Sequence, residues 1–484
     1  MHSITSLNIL FIAAEAEPFV KVGGLGDYAG SLPHAILNID SSLFQGKRLD
    51  LRMAIPFHSS ILKENFDIQS FMQVKIQSKG KPISFEIFST KINNLIIYLI
   101  RPSDNIFTED PIYSPDASMN FLKYSLFSIG CVELVKQLNW QVDILHANDW
   151  HTALAIVAIK QKEKNNPIFD KIKTVLTIHN MGYMGSSQNK ILDRFNIKPV
   201  LDPELPKWAV DQPLPMGLVL SDLIIAVSPN YSKEIRTAQF GYGLENLLKT
   251  RKKSITGILN GIDYQKWNPE TDRSLFENYS IQTIDLRKNN KSSLQKRLKL
   301  EQKEYLPLIA IISRLDYQKG IDIALLSLTK LMHLPWQLVI LGTGDHKLVN
   351  DCLEIANNNS GRISSILRYD DGLARHIYSA ADIVLIPSRY EPCGTTQMIA
   401  MRYGCLPIAR ATGGLKDSIG HLKEGFLFEK PTSKSLSIAL TEAILLYKNK
   451  PTQWRKMQKN AMQKDFSWNN SAKEYLNNYL RLLS

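Results

Sequence analysis

Residues 308–320 read LIAIISRLDYQKG and indicate how this chain folds. The first five residues are apolar, which is the length and composition of a strand buried in a parallel sheet. A polar loop with two cations, Arg314 and Lys319, follows. It ends at Gly320, after which apolar residues recur with helical spacing. The stretch therefore predicts a β-α unit with charged side chains on the loop that leaves the strand.

The same order of strand, polar loop and helix recurs along the chain. We predict strands at residues 8–14, 95–100, 143–146, 174–178 and 223–227 in the first half, and at 308–312, 337–341, 363–367, 383–387 and 406–409 in the second half. Strands that alternate with helices build parallel sheets with helices on both faces. The predicted fold class is therefore α/β, with two Rossmann-like, doubly wound domains.

The length of the chain, 484 residues, exceeds what a single hydrophobic core usually organises. Residues 260–305 carry no convincing strand and include the turn signal WNPE, so we place the domain junction there. The last segment predicts a helix whose apolar anchors are Trp468, Tyr475, Tyr479 and Leu482. We expect an N-terminal domain at 1–258, a C-terminal domain at 259–465 and a terminal helix at 466–484.

The chain is basic, with 58 Lys and Arg against 46 Asp and Glu, a formal net charge of +12. Such an excess is compatible with nucleic acid, anionic membranes or phosphorylated small molecules. Residues 249–304 hold 13 of the cations and 7 of the anions, so this segment supplies +6 of the charge. Its densest part, 287–304, is interrupted by acidic residues and lacks interleaved aromatics. We therefore predict a solvated helix there and no nucleic-acid partner.

The cysteines and the apolar runs indicate the cellular compartment in which we expect the protein. Four cysteines have neither the density nor the spacing of a disulfide framework or a zinc site, which fits a reducing cytoplasm. The first residues lack the positive region of a secretory signal, and no stretch approaches 18 uninterrupted apolar residues. We expect a cytoplasmic protein with no membrane partner.

Residues 15–27, EAEPFVKVGGLGD, follow the first predicted strand. Backbone N–H groups at Gly23 and Gly24 can turn towards an anion, the next helix offers its positive end, and Lys21 adds a cation. This combination suits a phosphate or a diphosphate. A tight turn without a ligand is one alternative, although it would not need Lys21. A dinucleotide site is another, because residues 24–29 match G-x-G-x-x-A, but the match begins about nine residues after the strand instead of at its end.

Polar side chains also follow two other predicted strands of the first half, in HANDWH at 146–151 and TIHN at 177–180. Residues that follow neighbouring strands meet at the carboxyl edge of an open α/β sheet, where ligands bind. Asp149 and His179 are therefore candidate site residues, suited to sugar hydroxyls. A metal site is the alternative, but the two histidines of 146–151 are five residues apart and do not share a helix face. The second of them, His151, is equally compatible with a core position.

In the second half, residues 387–397, PSRYEPCGTTQ, place Glu391 at a helix entrance. N–H groups and the helix dipole favour an anion there. A buried carboxylate beside a sugar could serve as nucleophile, electrostatic partner or hydroxyl anchor. Arg314 and Lys319 combine a bidentate fork with a point charge, which matches the two phosphates of a nucleoside diphosphate leaving group. An ordinary surface charge pair is the alternative for these two cations.

These stretches, in order along nearly the whole chain, closely resemble the bacterial glycogen synthase and plant starch synthase family. The matching residues are 21–27, 146–151, 177–180, 227–229, 241–245, 259–263, 313–320 and 388–397. The resemblance implies a GT-B glycosyltransferase, in which two Rossmann-like domains face each other across a cleft and a C-terminal helix returns to the first domain. It implies transfer of glucose from ADP-glucose to the non-reducing end of glycogen or another α-1,4-glucan. The anomeric configuration would be retained, without a metal or another cofactor.

Matched motif by motif, the resemblance also implies roles for single residues. Lys21, Gly23 and Gly24 would contact the donor, with Lys21 near its phosphates. Arg314 and Lys319 would stabilise the departing ADP.

The other implied roles concern the sugar. Glu391 would hold the transferred glucose, His179 would lie over the reacting centre, and Asp149 would organise donor or acceptor hydroxyls. The remaining donor-binding positions implied by the family are Asn260, Cys393, Gly394, Thr395 and Thr396.

The chain departs from the family pattern at Pro215, where lysine is expected, and matches it poorly over 186–211. Two rival functions follow. One is a glucosyltransferase of the same fold that uses UDP-glucose, because no residue identifies the base. The other is a catalytically weak, glucan-binding scaffold, although the charged site residues are all retained.

Overall fold

A computed structural model describes residues 6–103, 112–162, 166–186 and 189–484. The chain divides into two compact units. The first runs to Gly261 and also includes Trp468–Ser484, and the second is Ile262–Ser467. The predicted boundaries at 258 and 465 lie a few residues before these limits. The first five residues lie outside the described ranges, and the expectation that the chain has no secretory signal rests partly on them. Two positions of the divergent stretch 186–211 also lie outside these ranges.

Within the described residues, the first unit holds a nine-stranded sheet in the order β3-β4-β5-β2-β1-β6-β7-β8-β9. Its strands are β1 (Ser6–Ile12), β2 (Arg48–Pro56), β3 (Gln69–Ile76), β4 (Ile83–Ile92), β5 (Leu95–Pro102), β6 (Ile144–Asn148), β7 (Lys173–Ile178), β8 (Leu223–Ala226) and β9 (Ile255–Gly257). All neighbours pair in parallel except β3 with β4 and β4 with β5, which are antiparallel. The five predicted strands are confirmed, whereas β2, β3, β4 and β9 were not predicted.

Helices cover the first sheet. They are α1 (Gly24–Leu37), α2 (Ala117–Gln137), α3 (Asp149–Lys162), α4 (Pro167–Asp170), α5 (Asn189–Arg194), α6 (Pro213–Leu220), α7 (Pro229–Glu234), α8 (Glu245–Thr250) and the terminal helix α17 (Trp468–Leu483). The predicted anchors of α17 pack into this core, with Leu482 only partly buried. The Tyr28 hydroxyl on α1 donates to the Tyr475 hydroxyl at 3.0 Å. One face of the last helix is therefore part of the core of the first unit.

The second unit, all of whose residues are described, holds a six-stranded parallel sheet in the order β12-β11-β10-β13-β14-β15. Its strands are β10 (Leu308–Ile312), β11 (Gln337–Leu341), β12 (Ile363–Ile366), β13 (Ile383–Ile386), β14 (Leu406–Arg410) and β15 (Phe426–Phe428). Its helices are α9 (Arg287–Arg297), α10 (Ile321–Lys330), α11 (His346–Asn357), α12 (Asp371–Ala380), α13 (Thr396–Arg402), α14 (Gly413–Ser418), α15 (Ser433–Asn449) and α16 (Pro451–Gln463). The five strands predicted here are confirmed, and β15 is additional.

Helix α9 corrects the prediction that the basic segment at the junction is a solvated helix. The helix exists, but Arg287 and Lys291 are buried. Lys291 Nζ donates to Asp382 Oδ2 at 2.7 Å and to the carbonyl oxygen of Leu306 at 2.6 Å. Arg287 donates to the carbonyl oxygen of Ala381. Two of the cations therefore attach α9 to the segments that precede β10 and β13, because buried charges need such partners.

All four cysteines are buried free thiols. Within the described ranges, no helix is long and apolar enough to cross a membrane.

Candidate functional site

The order of the second sheet identifies where a ligand can bind. Strands β10 and β13 are neighbours, and the chain winds away from them in opposite directions, so a crevice opens at their carboxyl ends. The loop after β10 is residues 313–320, the β10 loop, and the loop after β13 is residues 387–395, the β13 loop. Both of the second-half loops proposed from the sequence therefore meet at this switch point.

The two loops are in direct contact. Gly320 has φ +69°, and a Cβ at this position would lie 2.2 Å from the carbonyl oxygen of Pro387. Only glycine combines the left-handed backbone with this close approach. The backbone N–H of Arg389 donates to the carbonyl oxygen of Gln318 at 2.8 Å. The β10 loop is therefore fixed against the β13 loop.

Lys319 and Glu391 form an ion pair across these loops. Lys319 Nζ lies 2.6 Å from Glu391 Oε2, and the Lys319 and Glu391 side chains are 21% and 8% exposed. Ser388 Oγ donates to the same Oε2 at 2.9 Å. Asp316 Oδ1 accepts the backbone N–H of Lys319 at 2.9 Å, which holds the loop that carries the cation. Lys319 and Glu391, which were predicted separately, are thus brought together. Both hydrogen bonds of the Glu391 carboxylate are made to its Oε2.

Arg314 lies on the same loop but points to solvent. Its side chain is 63% exposed, and Nη2 lies 3.3 Å from Asp316 Oδ2. Exposed pairs of this kind contribute little to stability because water screens them. The structure therefore leaves this guanidinium accessible to a ligand.

The backbone of the β13 loop is supported from behind by glycines after β14. A Cβ at Gly413 would lie 1.9 Å from the carbonyl oxygen of Glu391, and Gly413 has φ +44°. Gln397 Nε2 donates to the carbonyl oxygens of Gly394 and Cys393 at 2.9 and 3.2 Å. This packing keeps Glu391 at the crevice.

Thr395 and Thr396 lie where α13 begins, as predicted. Thr395 makes no side-chain capping hydrogen bond to that helix. The Thr396 side chain lies close to the buried Tyr378 hydroxyl.

In the first sheet the corresponding switch point lies between β1 and β6. Glu15, three residues after the end of β1, is buried, and its Oε2 accepts the N–H groups of Val22 and Gly23, the latter at 3.2 Å. The Tyr113 hydroxyl donates to Oε1 at 3.1 Å. The glycine-rich loop was predicted to turn its N–H groups towards a phosphate. For these two N–H groups, the anion they bind is the Glu15 carboxylate.

Sequence reasoning missed Glu15, although one signal was present: a single carboxylate directly after an apolar run. Burial raises the pKa of Glu15, and the two backbone hydrogen bonds oppose that rise.

The other predicted residues of this loop are more open. Lys21 Nζ lies 2.6 Å from Asp27 Oδ1 and 3.9 Å from Glu17 Oε2, and the Lys21 side chain is 31% exposed. Gly23 precedes α1, and a Cβ at Gly24 would meet no heavy atom within 4 Å. Gly24 therefore borders open space, the access that a ligand needs.

Asp149 and His179 come together at the ends of the paired strands β6 and β7. Asp149 Oδ1 accepts the N–H groups of His179 and Asn180 at 2.7 and 3.4 Å. The pKa of Asp149 is raised to about 7: burial is the largest cause, the two backbone hydrogen bonds oppose the rise, and the charge of Glu15 adds to it. Asp149 also has φ +54°, which is uncommon for a residue other than glycine.

His179 faces the same region as a neutral imidazole. Its Nε2 lies 3.1 Å from Asn148 Oδ1, and the Tyr28 ring packs edge-on against it with centroids 4.4 Å apart. Burial lowers the pKa of His179 to about 3. The ring is therefore uncharged at neutral pH.

The two histidines of 146–151 belong to the core. His146 lies 2.7 Å from the Thr177 hydroxyl and 2.7 Å from the Tyr479 hydroxyl. The buried His151 ring packs among aromatic rings, including Tyr113 and Trp150. Among the described residues, no group of three or more His, Cys, Asp or Glu side chains is placed to hold a metal ion.

Asn260, predicted at the donor side, is buried at the end of the first unit. Its Oδ1 accepts no hydrogen bond from the residues that the structure describes. A buried polar atom without a partner is uncommon in a folded protein, which singles out this side chain.

Comparison with known proteins adds to this geometry. Residues 8–250 match the family model "Starch synthase catalytic domain", and residues 293–463 match "Glycosyl transferases group 1". A glycogen synthase from Pseudothermotoga lettingae is 37% identical over 501 residues, with 99% of each chain covered. A glycogen synthase from Geotalea daltonii is 36% identical over 490 residues, again with 99% of each covered.

Comparison with solved structures also points to this family. The catalytic domain of starch synthase IV from Arabidopsis thaliana, bound to ADP and acarbose, superposes with a TM-score of 0.88 at 30% identity, covering 99% of this chain and 100% of that one. A sucrose-phosphate synthase from Thermosynechococcus elongatus superposes with a TM-score of 0.60 at 16% identity over 98% of each chain, and shows the fold alone. The fold is that of the GT-B glycosyltransferases. The chain belongs to the glycogen synthase and starch synthase family.

Proposed function

We propose that this chain transfers glucose from ADP-glucose to the non-reducing end of an α-1,4-glucan such as glycogen, with retention of the anomeric configuration. The observation that carries the proposal is the Lys319–Glu391 pair at the switch point of the second sheet. It places a cation for a diphosphate beside a carboxylate for a sugar. The related Arabidopsis starch synthase, whose structure contains ADP and acarbose, supports the choice of an adenine nucleotide and an oligosaccharide-like ligand.

Lys319 and Arg314 serve the leaving group. Negative charge grows on the diphosphate as the bond to glucose breaks, so cations that contact it bind the transition state more tightly than the ground state. Lys319 sits on a loop fixed by Asp316 and Gly320, and preorganised charges of this kind need no rearrangement during the reaction. The exposed Arg314 adds a bidentate fork for phosphate oxygens.

Glu391 holds the transferred glucose. Its Oε2 is taken by Lys319 and Ser388, which leaves Oε1 as the oxygen for a sugar hydroxyl. The β13 loop that carries it supplies further donor contacts, which we assign to Cys393, Gly394, Thr395 and Thr396.

In the first unit we assign Lys21, Gly23, Gly24 and Asn260 to donor binding. Glu15 accepts the N–H of Gly23, so Gly23 would contribute a close approach of its backbone. Asp149 and His179 act on the sugar. A neutral His179 brings no positive charge that would repel the positive charge developing at the anomeric carbon. Asp149 fixes this position through the N–H of His179.

Purified protein with glycogen and either ADP-glucose or UDP-glucose tests the proposal, with released nucleoside diphosphate as the readout. We expect ADP release. Preferential UDP release would assign the UDP-glucose reaction, and no release from either donor would leave a glucan-binding scaffold.

Lys319→Ala then tests the role of the ion pair. We expect kcat to fall by about 10²- to 10³-fold, the scale measured when a preorganised group that stabilises transition-state charge is removed, with glucan binding nearly unchanged. Lys303→Ala is the matched control, since Lys303 pairs with Glu301 at 2.5 Å on the surface of the same unit. Equal losses of turnover and glucan binding in Lys319→Ala would contradict the assignment.

A further inference from the structure

Three large aromatic side chains of the first unit are exposed although they lie on well-anchored loops. Tyr183, Trp208 and Tyr242 are 56%, 47% and 46% exposed. A fully buried residue lies within two positions of each ring: Met181 near Tyr183, Ala209 near Trp208 and Leu244 near Tyr242. The rings are therefore presented outwards from fixed backbone.

The three rings are neighbours. A Cβ at Gly243 would lie 3.1 Å from Cζ2 of Trp208, so the indole lies over the backbone next to Tyr242. A Cβ at Gly182, beside Tyr183, would lie 3.2 Å from the Tyr242 hydroxyl. Partial burial and the nearby Tyr183 phenol raise the pKa of Tyr242. We call Tyr183, Trp208 and Tyr242 the aromatic platform.

The backbone at the platform is held in an uncommon conformation. Tyr242 has φ +50° and Gly243 has φ +83°. The turn is closed by a hydrogen bond from the Leu244 N–H to the Gly241 carbonyl oxygen at 2.9 Å. A bulky residue in left-handed conformation costs free energy, and such outliers concentrate at functional positions.

The platform adjoins the candidate site within one loop. Tyr183 lies four residues after His179, and its N–H donates to the Asn180 carbonyl oxygen at 3.2 Å. The N–H of the intervening Met181 donates to the Tyr231 hydroxyl at 2.9 Å. The rings thus continue the edge of the sheet at which Asp149 binds the backbone of His179.

We propose that the aromatic platform is a binding surface for the α-glucan acceptor, a proposal that rests on the proposed function. One face of a glucose ring carries only C–H groups, which pack on the electron-rich face of an aromatic ring, while its hydroxyls reach phenol and indole polar atoms at the rim. Trp208 lies in the stretch 186–211, which departs from the family pattern, so this ring is the part of the platform that differs from that pattern.

Calorimetric titration with maltoheptaose, without any donor, tests the platform separately from catalysis. We expect Trp208→Ala to raise the Kd by about five- to tenfold, the scale of one aromatic stacking contact, and Tyr183→Ser to act in the same direction. Tyr369→Ala is the matched control, because Tyr369 is 79% exposed in the second unit, and its Kd should stay within about twofold of wild type. Trp208→Phe should keep the affinity and lose the tryptophan fluorescence change on binding.

The outcomes separate the two proposals. If ADP-glucose is not used but Trp208→Ala still weakens maltoheptaose binding, the platform stands and the proposed function fails. If glucose is transferred while both Trp208→Ala and Tyr183→Ser bind as wild type, the platform is overturned. Loss of self-association in Trp208→Ala with unchanged maltoheptaose binding would make the surface a protein interface and would also overturn the proposal. Circular dichroism confirms that each variant is folded.

Discussion

The buried carboxylate of Asp149 makes the stability of the first unit depend on pH. In the folded protein its pKa is raised from 3.8 to about 7, with burial as the largest cause. An unfolded chain leaves the group near its ordinary value. Between these two pKa values the folded state therefore holds a proton that the unfolded state has lost. The free energy of unfolding must then fall as the pH rises through this window, and Asp149→Asn removes the effect.

The magnitude follows from the shift. Each pH unit inside the window changes the free energy of unfolding by about 1.4 kcal/mol, so wild type should lose about 2.5 kcal/mol relative to Asp149→Asn between pH 5 and pH 8. Asn retains an oxygen that can accept the N–H of His179, now 2.7 Å from Asp149 Oδ1. Any cost of burying its amide is the same at every pH and cancels in the comparison.

Urea unfolding at pH 5, 6, 7 and 8, followed by circular dichroism and tryptophan fluorescence, measures this difference. Asp263→Asn is the matched control, because Asp263 also accepts two backbone N–H groups, from Gln265 at 2.7 Å and Lys266 at 3.2 Å, but is exposed. A difference between wild type and Asp149→Asn that stays constant from pH 5 to pH 8 would refute the reasoning.

Two further predictions concern the loops. Glu15→Ala leaves the N–H of Gly23 without its acceptor, so we expect a loss of about 1–3 kcal/mol in the free energy of unfolding and a higher KM for the donor. Glu15→Gln removes a negative charge near Asp149. The pH window in which Asp149 lowers the free energy of unfolding should therefore shift to lower pH. Wild-type stability and KM in Glu15→Ala would contradict this. Gly320→Ala should lower the free energy of unfolding by at least about 1–2 kcal/mol and reduce turnover, since its Cβ would strike the carbonyl oxygen of Pro387. Gly46→Ala is the control: Gly46 has φ +77° but open space around it, so this variant should lose only the free energy of the backbone strain. Similar unfolding midpoints and activities for these two glycine variants would contradict it.

Much of the second unit was predictable from sequence because its strands are short, continuous apolar runs. Each such run in the second half became a strand of one sheet, and the loops after β10 and β13 carried the charges that meet there. Adjacency of the two loops follows from strand order, which a single sequence does not contain. The Lys319–Glu391 pair was therefore two separate predictions until the sheet order joined them.

What sequence reasoning missed has a physical cause in each case. Strand β2, RLDLRMAIP, mixes charges with apolar residues because Arg52 binds Asp50 and packs over Trp140 at the strand's side. Arg287 and Lys291 read as solvated charges, since nothing in their local pattern reveals acceptors about 90 residues away, the carbonyl oxygen of Ala381 and the carboxylate of Asp382.

The two switch points compensate their buried carboxylates differently, and this difference bears on the roles that we propose for the two units. In the second sheet Glu391 is paired with a full cation, Lys319, which a diphosphate can share. In the first sheet Glu15 and Asp149 are held mainly by backbone N–H groups, whose partial charges do not offset burial, and the pKa of each is raised. Uptake of a diphosphate there would add negative charge beside two carboxylates and would favour their protonated forms. Under the proposed function, Lys319 of the second unit would receive the charge of the leaving group, whereas the positions beside Glu15 and Asp149 in the first unit would suit neutral sugar hydroxyls.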